Sequence, residues 1–350
     1  MYNYKFTNPI RLSVFRMNSE RKKYALFCML LLLMAACKLN DKTSDMEPTT
    51  INPLLCNPDS GVCEVPGTAT SGSTVVNHTA KKPVKLIYFT DPICSSCWGI
   101  EPQLRKLKLE YGNSIEIEYH MGGLLPSWNG FNGGGITKPT DVAVHWDEVS
   151  LHYEMPIDGD VWLEDPLSSS YPPSVAFHAA QMQDTLKAQN FLRRMREMVF
   201  TEKKNITKWE HIQAAAFDAE LDTARLHTDY TSTAQQLFDS DLQYARKLGV
   251  RGFPTIIAVN ETGQQQVIYG FKPYAQFEQT IKLLHPAAQK TNYTASADAL
   301  FAVYPTLTAK EFAVLTGISL ADAQQQLTAL TASGKLAATN CKNGTIWKKK

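Results

Sequence analysis

The 350 residues carry 35 Lys and Arg against 34 Asp and Glu, a formal charge of +1, so bulk electrostatics steer the chain toward no polyanion. Length and composition suit a globular protein with one large and one small domain, which excludes a chain that is disordered throughout. Of the seven cysteines, two stand as Cys94-Ser-Ser-Cys97, and the others are Cys28, Cys37, Cys56, Cys63 and Cys341.

The basic triplet Arg21-Lys22-Lys23 precedes an apolar run, Tyr24 to Met34, that is too short to span a bilayer and ends at Ala35-Ala36-Cys37. This pattern reads as a secretion signal over residues 1–37, with Met17 as an alternative start. Small residues directly before a cysteine resemble the bacterial lipoprotein cleavage box, although Met34 stands where Leu is usual. That resemblance implies a mature protein beginning at Cys37, lipidated there and anchored at the cell envelope, in preference to an uncleaved anchor or an ordinary signal peptide.

Residues 38–83 read as tether and linker: Cys37 to Thr50 is polar without apolar periodicity, and Gly67 to Ser73 is rich in small residues. Between them Pro58 through Gly61 turns the chain so that Cys56 and Cys63 can meet. In an oxidising envelope a local disulfide is the preferred reading, ahead of a second redox pair exchanging with Cys94 and Cys97.

Val84 to Thr90 is an apolar run ended by Asp91-Pro92 and predicts a buried strand. From Cys97 onward, Trp98, Ile100, Leu104, Leu107 and Leu109 recur near the helical period, which predicts one amphipathic helix with Cys94 at its N-terminus. Unpartnered first-turn N–H groups and the positive end of the dipole favour an anion there, so a depressed Cys94 pKa is expected, with Cys97 placed to resolve a mixed disulfide. Zinc would require four ligands, and no second Cys-x-x-Cys pair exists. No metal or cofactor site is therefore expected. A structural staple is disfavoured because so short a spacing makes a tight, reducible ring.

Ile115 to Met121 alternates and predicts a second strand, leading into Gly122-Gly123 and the glycine-rich stretch Asn129 to Gly135. His120 and Trp128 are either cleft-lining or ordinary packing residues. Residues 137–249 turn helical: Ser174 to Thr185 is one helix, Phe191, Leu192, Met195, Met198 and Val199 give the face of the next, and Thr207-Lys-Trp-Glu210 reads as a capping-box start for a third. Gly252-Phe253-Pro254 then precedes strand Thr255 to Val259, and strand Gln265 to Tyr269 and helix Tyr274 to Leu284 close the large domain, 84–286.

A strand, a Cys-x-x-Cys turn and a helix, followed far downstream by a proline before a strand, resemble the thioredoxin superfamily. Within it the stretches Tyr88 to Pro92, Cys94 to Pro102, His120 to Leu124, Ser170 to Ser174 and Gly252 to Thr255 resemble DsbA-like proteins of the FrnE and YjbH adaptor type. The resemblance implies an α/β fold, a thioredoxin-like domain with a helical insertion. It implies Cys94, Cys97 and a cis Pro254 as the reactive centre, with Phe253, Trp98 and His120 as client-binding candidates. Some such relatives act as adaptors.

Residues 294–350 form a small separate unit. Thr308 to Glu311 and Ser319 to Asp322 cap helices that stop at Gly317 and Gly334, and a hairpin turns at Asn343-Gly344, an order that resembles a winged helix. The second helix, Ser319 to Ser333, has no Lys or Arg to meet phosphates, so a protein-contact module is expected and nucleic acid is not. The reading favoured for the whole is a thiol–disulfide oxidoreductase acting on cysteine-containing envelope proteins and recycled by a redox partner. The alternative is a protein-binding adaptor with little redox turnover.

Overall fold

The computed structural model describes residues 60–64, 81–129 and 136–350, all within one compact unit, Thr50–Lys350. The leader, Cys37, Cys56 and residues 130–135 lie outside the described residues, as do the expectations made for them.

The chain runs β1 (Cys63–Glu64), β2 (Val84–Thr90), α1 (Ser95–Gly99), α2 (Glu101–Tyr111), β3 (Ile115–Met121), α3 (Pro139–Tyr153), α4 (Val161–Glu164), α5 (Tyr171–Gln181), α6 (Thr185–Thr201), α7 (Trp209–Asp218), α8 (Thr223–Tyr230), α9 (Ala234–Lys247), β4 (Gly252–Phe253), β5 (Thr255–Asn260), β6 (Gln265–Tyr269) and α10 (Tyr274–Leu284). The last part is α11 (Ala297–Val303), β7 (Thr306–Thr308), α12 (Ala309–Thr316), α13 (Leu320–Ala332), β8 (Leu336–Cys341) and β9 (Gly344–Lys349). The main sheet has the order β3-β2-β5-β6, with β2 parallel to β3 and antiparallel to β5. Every residue of β2 is buried, which is why it reads as an almost unbroken apolar run instead of alternating.

Helices of the 137–249 region pack beside this sheet as an insertion. Helix boundaries differ from expectation in three places, two of them in this region, each for a local reason. The first helix after Cys94 is two, because Pro102 has no N–H to continue the ladder and the chain breaks at Ile100. α5 begins at Tyr171, not Ser174, since Pro172 and Pro173 suit the first turn, where no N–H is required. The capping box expected at Thr207 is not formed; Asn205 Oδ1 instead accepts from Thr207 N at 3.0 Å and from its hydroxyl at 2.5 Å, and α7 starts behind that turn.

The C-terminal elements form their own sheet, β7-β9-β8, over a separate apolar cluster that includes Leu300, Phe312, Leu327 and Trp347. Both capping residues act as read: Thr308 and Glu311 close a reciprocal box, and Ser319 Oγ accepts from Asp322 N. The hairpin turn itself is Lys342-Asn343, one residue earlier than expected, with Cys341 paired to Gly344. This part docks on the rest through polar contacts, buried around Glu311 and exposed at Lys342. Glu311, fully buried, accepts from Arg193 at 2.7 and 3.1 Å and faces Arg105 Nε at 3.2 Å. Arg105 also donates to Thr306 O at 2.7 Å, and Lys342 pairs with Asp147 and Asp160 at 2.5 and 2.8 Å.

Candidate active site and client cleft

β2 ends at Thr90, and the next residues set the geometry of the dithiol. Asp91 is buried and its carboxylate accepts from Ile93 N at 3.0 Å, Leu124 N at 2.7 Å and Ser170 Oγ at 2.8 Å. One carboxylate thus ties the Cys-x-x-Cys turn to the loop after β3 and to the start of α5. Burial pushes its pKa up to about 6, with those three donors and Arg196 holding it down from higher still.

Cys94 is the N-cap of α1, and its sulfur accepts from Cys97 N at 3.2 Å. Both cysteines are free thiols and fully buried. The electrostatics reverse one expectation. The Cys94 thiol is pushed up, first by burial and then by the sulfur of Cys97 beside it, so the helix-start effect loses to desolvation. The lowered thiol is Cys97: burial opposes ionisation there, but the hydrogen bond from Cys94, the charge of Arg196 and the Thr90 hydroxyl outweigh it.

Arg196 escaped the sequence reading. It lies on α6 one turn after Leu192, on the face that also carries Val199 and Phe200, and it is 1% exposed. Its guanidinium donates to Glu101 and Thr90 at 2.5 Å each and to Asp91 O at 3.3 Å, which sets a positive charge beneath the cysteines. A charged residue on the buried stripe of an amphipathic helix was the available signal.

The Phe253–Pro254 peptide is cis. Phe253 is buried, and its ring occupies the space a side chain at Gly122 would take: a Cβ there would come within 1.8 Å of the ring. The backbone of Gly252 and Phe253 is bridged antiparallel by Cys63–Glu64, in register Cys63 to Phe253. That strand puts the Cys63 sulfur 3.3 Å from Cys94 Sγ and 3.5 Å from Ser96 Oγ, whose hydroxyl also meets Tyr153 OH at 2.7 Å. Cys63 is itself disulfide-bonded, and because Cys94, Cys97 and Cys341 are free, its partner lies outside the described residues.

Two expected cleft residues sit elsewhere. Trp98 is fully buried; its indole donates to Pro156 O at 3.0 Å, stacks on Phe200 and carries the Arg193 guanidinium 4.2 Å above its ring. Trp98 therefore anchors the dithiol helix from below, where an apolar ring with one donor fits better than in a wet cleft. His120 is held between Asp241 Oδ1 at 2.5 Å and Glu118 Oε1 at 2.7 Å, both ring nitrogens occupied. Burial opposes its charge, but the two carboxylates raise its pKa to about 9. It is a structural cation of β3. Trp128 donates to Leu167 O at 2.8 Å, also a packing role. Among the described residues no cluster of His, Cys, Asp and Glu is arranged to hold a metal, and no helix is long and apolar enough to cross a membrane.

A buried dithiol at the start of a helix, beside a cis-proline loop at the ends of the two central strands of a mixed sheet, defines a thioredoxin-fold protein. The Thioredoxin family model matches residues 88–279. The ClpXP adapter protein SpxH of Halalkalibacterium halodurans is 31% identical over 302 residues, which is 85% of this chain and 97% of the relative; that of Bacillus subtilis is 28% identical over 273 residues, 77% and 90%. The chain belongs to the thioredoxin family, with the SpxH adapter proteins among its relatives. Among solved structures, the cytosolic disulfide reductase DsbM of Pseudomonas aeruginosa is similar at 22% identity and a TM-score of 0.45, over 57% of this chain and 99% of that one.

Proposed function

We propose that this chain is a client-binding protein of the adapter kind, whose cleft beside Pro254 takes an extended, cysteine-bearing polypeptide and whose Cys94–Cys97 dithiol keeps thiol–disulfide exchange chemistry toward it. The observation that carries the reading is the antiparallel bridge of Cys63–Glu64 on Gly252–Phe253, an extended strand seated with its sulfur 3.3 Å from Cys94. Main-chain pairing supplies affinity with little sequence demand, as a binder of varied clients requires. Similarity over most of the chain to relatives named as adapters supports the binding half, and the free dithiol above Arg196 supports the exchange half.

In this reading the segment before Cys37 directs the protein to the envelope, Cys37 carries lipid, and the clients are cysteine-containing envelope proteins. The C-terminal unit, winged-helix-like in element order, adds a second contact surface for them.

Two measurements test it. Titration of the purified protein against glutathione buffers should show a two-electron transition of the Cys94–Cys97 pair that is absent in Cys94→Ser, and a dithiol that never oxidises would remove the exchange half. Scrambled ribonuclease should bind without being turned over. Turnover at an enzymatic rate would instead make the protein an oxidoreductase proper, and failure to bind would remove the adapter half.

A further inference from the structure

The strand that fills the cleft belongs to the chain itself, and its fit there is specific. Gly61, with φ +63, sits where a Cβ would collide with the backbone of Phe271, and its carbonyl accepts from Phe271 N at 2.7 Å. Gly270, with φ +76, is equally close to Ser60 O and Val62. Val62 and Cys63 are 0% and 1% exposed, and Cys94 beneath them is at 0%. A sulfur already in a disulfide therefore rests on a free thiol at 3.3 Å, inside twice the van der Waals radius of sulfur, with both atoms closed off from solvent.

We propose that Cys63 is an internal exchange partner of Cys94: the segment Gly61–Glu64 is a tethered substrate strand, and the disulfide held by Cys63 passes to Cys94–Cys97 within the chain. The sequence offers Cys56 as the other half of that disulfide.

The exchange balances. Cys94 gives its proton to the Cys97 thiolate, and the new Cys94 thiolate attacks the Cys63 sulfur. A Cys94–Cys63 bond forms, the Cys63–Cys56 bond breaks, and the Cys56 thiolate leaves. Cys97 then passes its proton to the departing Cys63 sulfur and attacks Cys94, so Cys63 is released as a thiol. Two electrons move from the Cys94–Cys97 dithiol to the Cys56–Cys63 disulfide, and one proton and one negative charge remain on each side of the balance. The reverse sequence reloads the strand. Arg196 is placed to steady the anion while it resides on Cys97.

The proposal rests on the exchange half of the proposed function and is independent of the adapter half. The test uses full-length Cys97→Ser protein, purified without reductant, quenched in acid, alkylated and mapped by mass spectrometry, with circular dichroism as the check on folding. A Cys63–Cys94 disulfide within single chains should be the major species, and it should be lost in Cys63→Ser/Cys97→Ser and retained in Cys341→Ser/Cys97→Ser. Wild-type protein reduced with limiting glutathione provides a second measurement: the Cys56–Cys63 and Cys94–Cys97 disulfides should interconvert before external thiol reacts further. If Cys97→Ser holds glutathione on Cys94 but never Cys63, the internal partnership is overturned while exchange chemistry survives. If Cys94 links to neither, both readings fall.

Discussion

Glu311 is the residue through which the C-terminal part is held, and its replacement by Gln is the sharpest test of that contact. The carboxylate is fully buried, meets Arg193 in a two-pronged pair at 2.7 and 3.1 Å, faces Arg105 at 3.2 Å and accepts from Thr308 N at 2.8 Å. Gln keeps the shape and can still close the α12 capping box, so the change isolates the charge. Removing one partner of a buried ion pair costs about 3 to 5 kcal/mol, because the charge left behind is uncompensated. Arg193 keeps Glu197 at 2.7 Å, which places the expectation at the lower end, about 3 kcal/mol. Urea unfolding should show it as a fall in midpoint with an unchanged slope, on the order of 1 M for a slope near 3 kcal/mol per molar. Lys203→Met, which breaks the solvent-exposed pair with Glu164, should leave the urea midpoint essentially unmoved. Burial works against the Glu311 charge, but the two arginines hold its pKa below the ordinary value of 4.5. The contribution is therefore present above pH 4.5 and fades as pH falls through the lowered folded value. A loss in Glu311→Gln no larger than that in Lys203→Met would refute the docking argument.

Gly122→Ala should destabilise the protein by about 1 to 3 kcal/mol in thermal or chemical unfolding, because the new methyl meets the ring of Phe253, which is itself fully buried and must shift; wild-type stability would mean the ring is not held there. His120, with its folded pKa raised to about 9, contributes stability that is complete below its ordinary 6.5 and lost as pH rises through 9, while Glu118, lowered to about 2, contributes above 4.5. The thermal midpoint of His120→Gln should then fall less steeply from pH 6.5 to 9 than that of the wild type, and parallel curves would count against the ion cluster. Arg196→Met should move the thiolate ultraviolet absorbance transition of the reduced dithiol to higher pH, since the positive charge favouring the Cys97 anion is gone; an unmoved transition would deny Arg196 that influence.

What was legible in the sequence is what depends on neighbours in sequence. β2 announces itself because all seven residues are buried, the dithiol because its spacing is local, and α12 and α13 because Thr308, Glu311, Ser319 and Asp322 cap within one turn. The failures are long-range. Arg196 meets Thr90 across more than a hundred residues of chain, and nothing near either position names the other. Trp98 looked like a cleft residue because it adjoins Cys97, but the helical period turns it inward onto Phe200 and Arg193. The rise of the Cys94 pKa has the same origin: a helix start is read locally, whereas burial is decided by what packs above it. The sequence favours Cys63 as half of a local disulfide and offers exchange with Cys94 as the second reading; the pairing of β1 with β4 is what sets its sulfur beside Cys94.

That pairing also sets a rule of competition. Because the occupying strand is joined through residues 65–80 to the domain it occupies, its return to the cleft is a first-order event that dilution does not slow. On the proposed function, a client would contend with an incumbent on the same chain, whose effective concentration across a short connection is on the order of millimolar. A free peptide at micromolar levels displaces it only by binding the site roughly a thousandfold better. A client anchored by a second contact on the same molecule escapes this handicap, since it too arrives as a tethered competitor. Selection at the cleft then falls on how a client is held nearby as much as on the few residues that enter it.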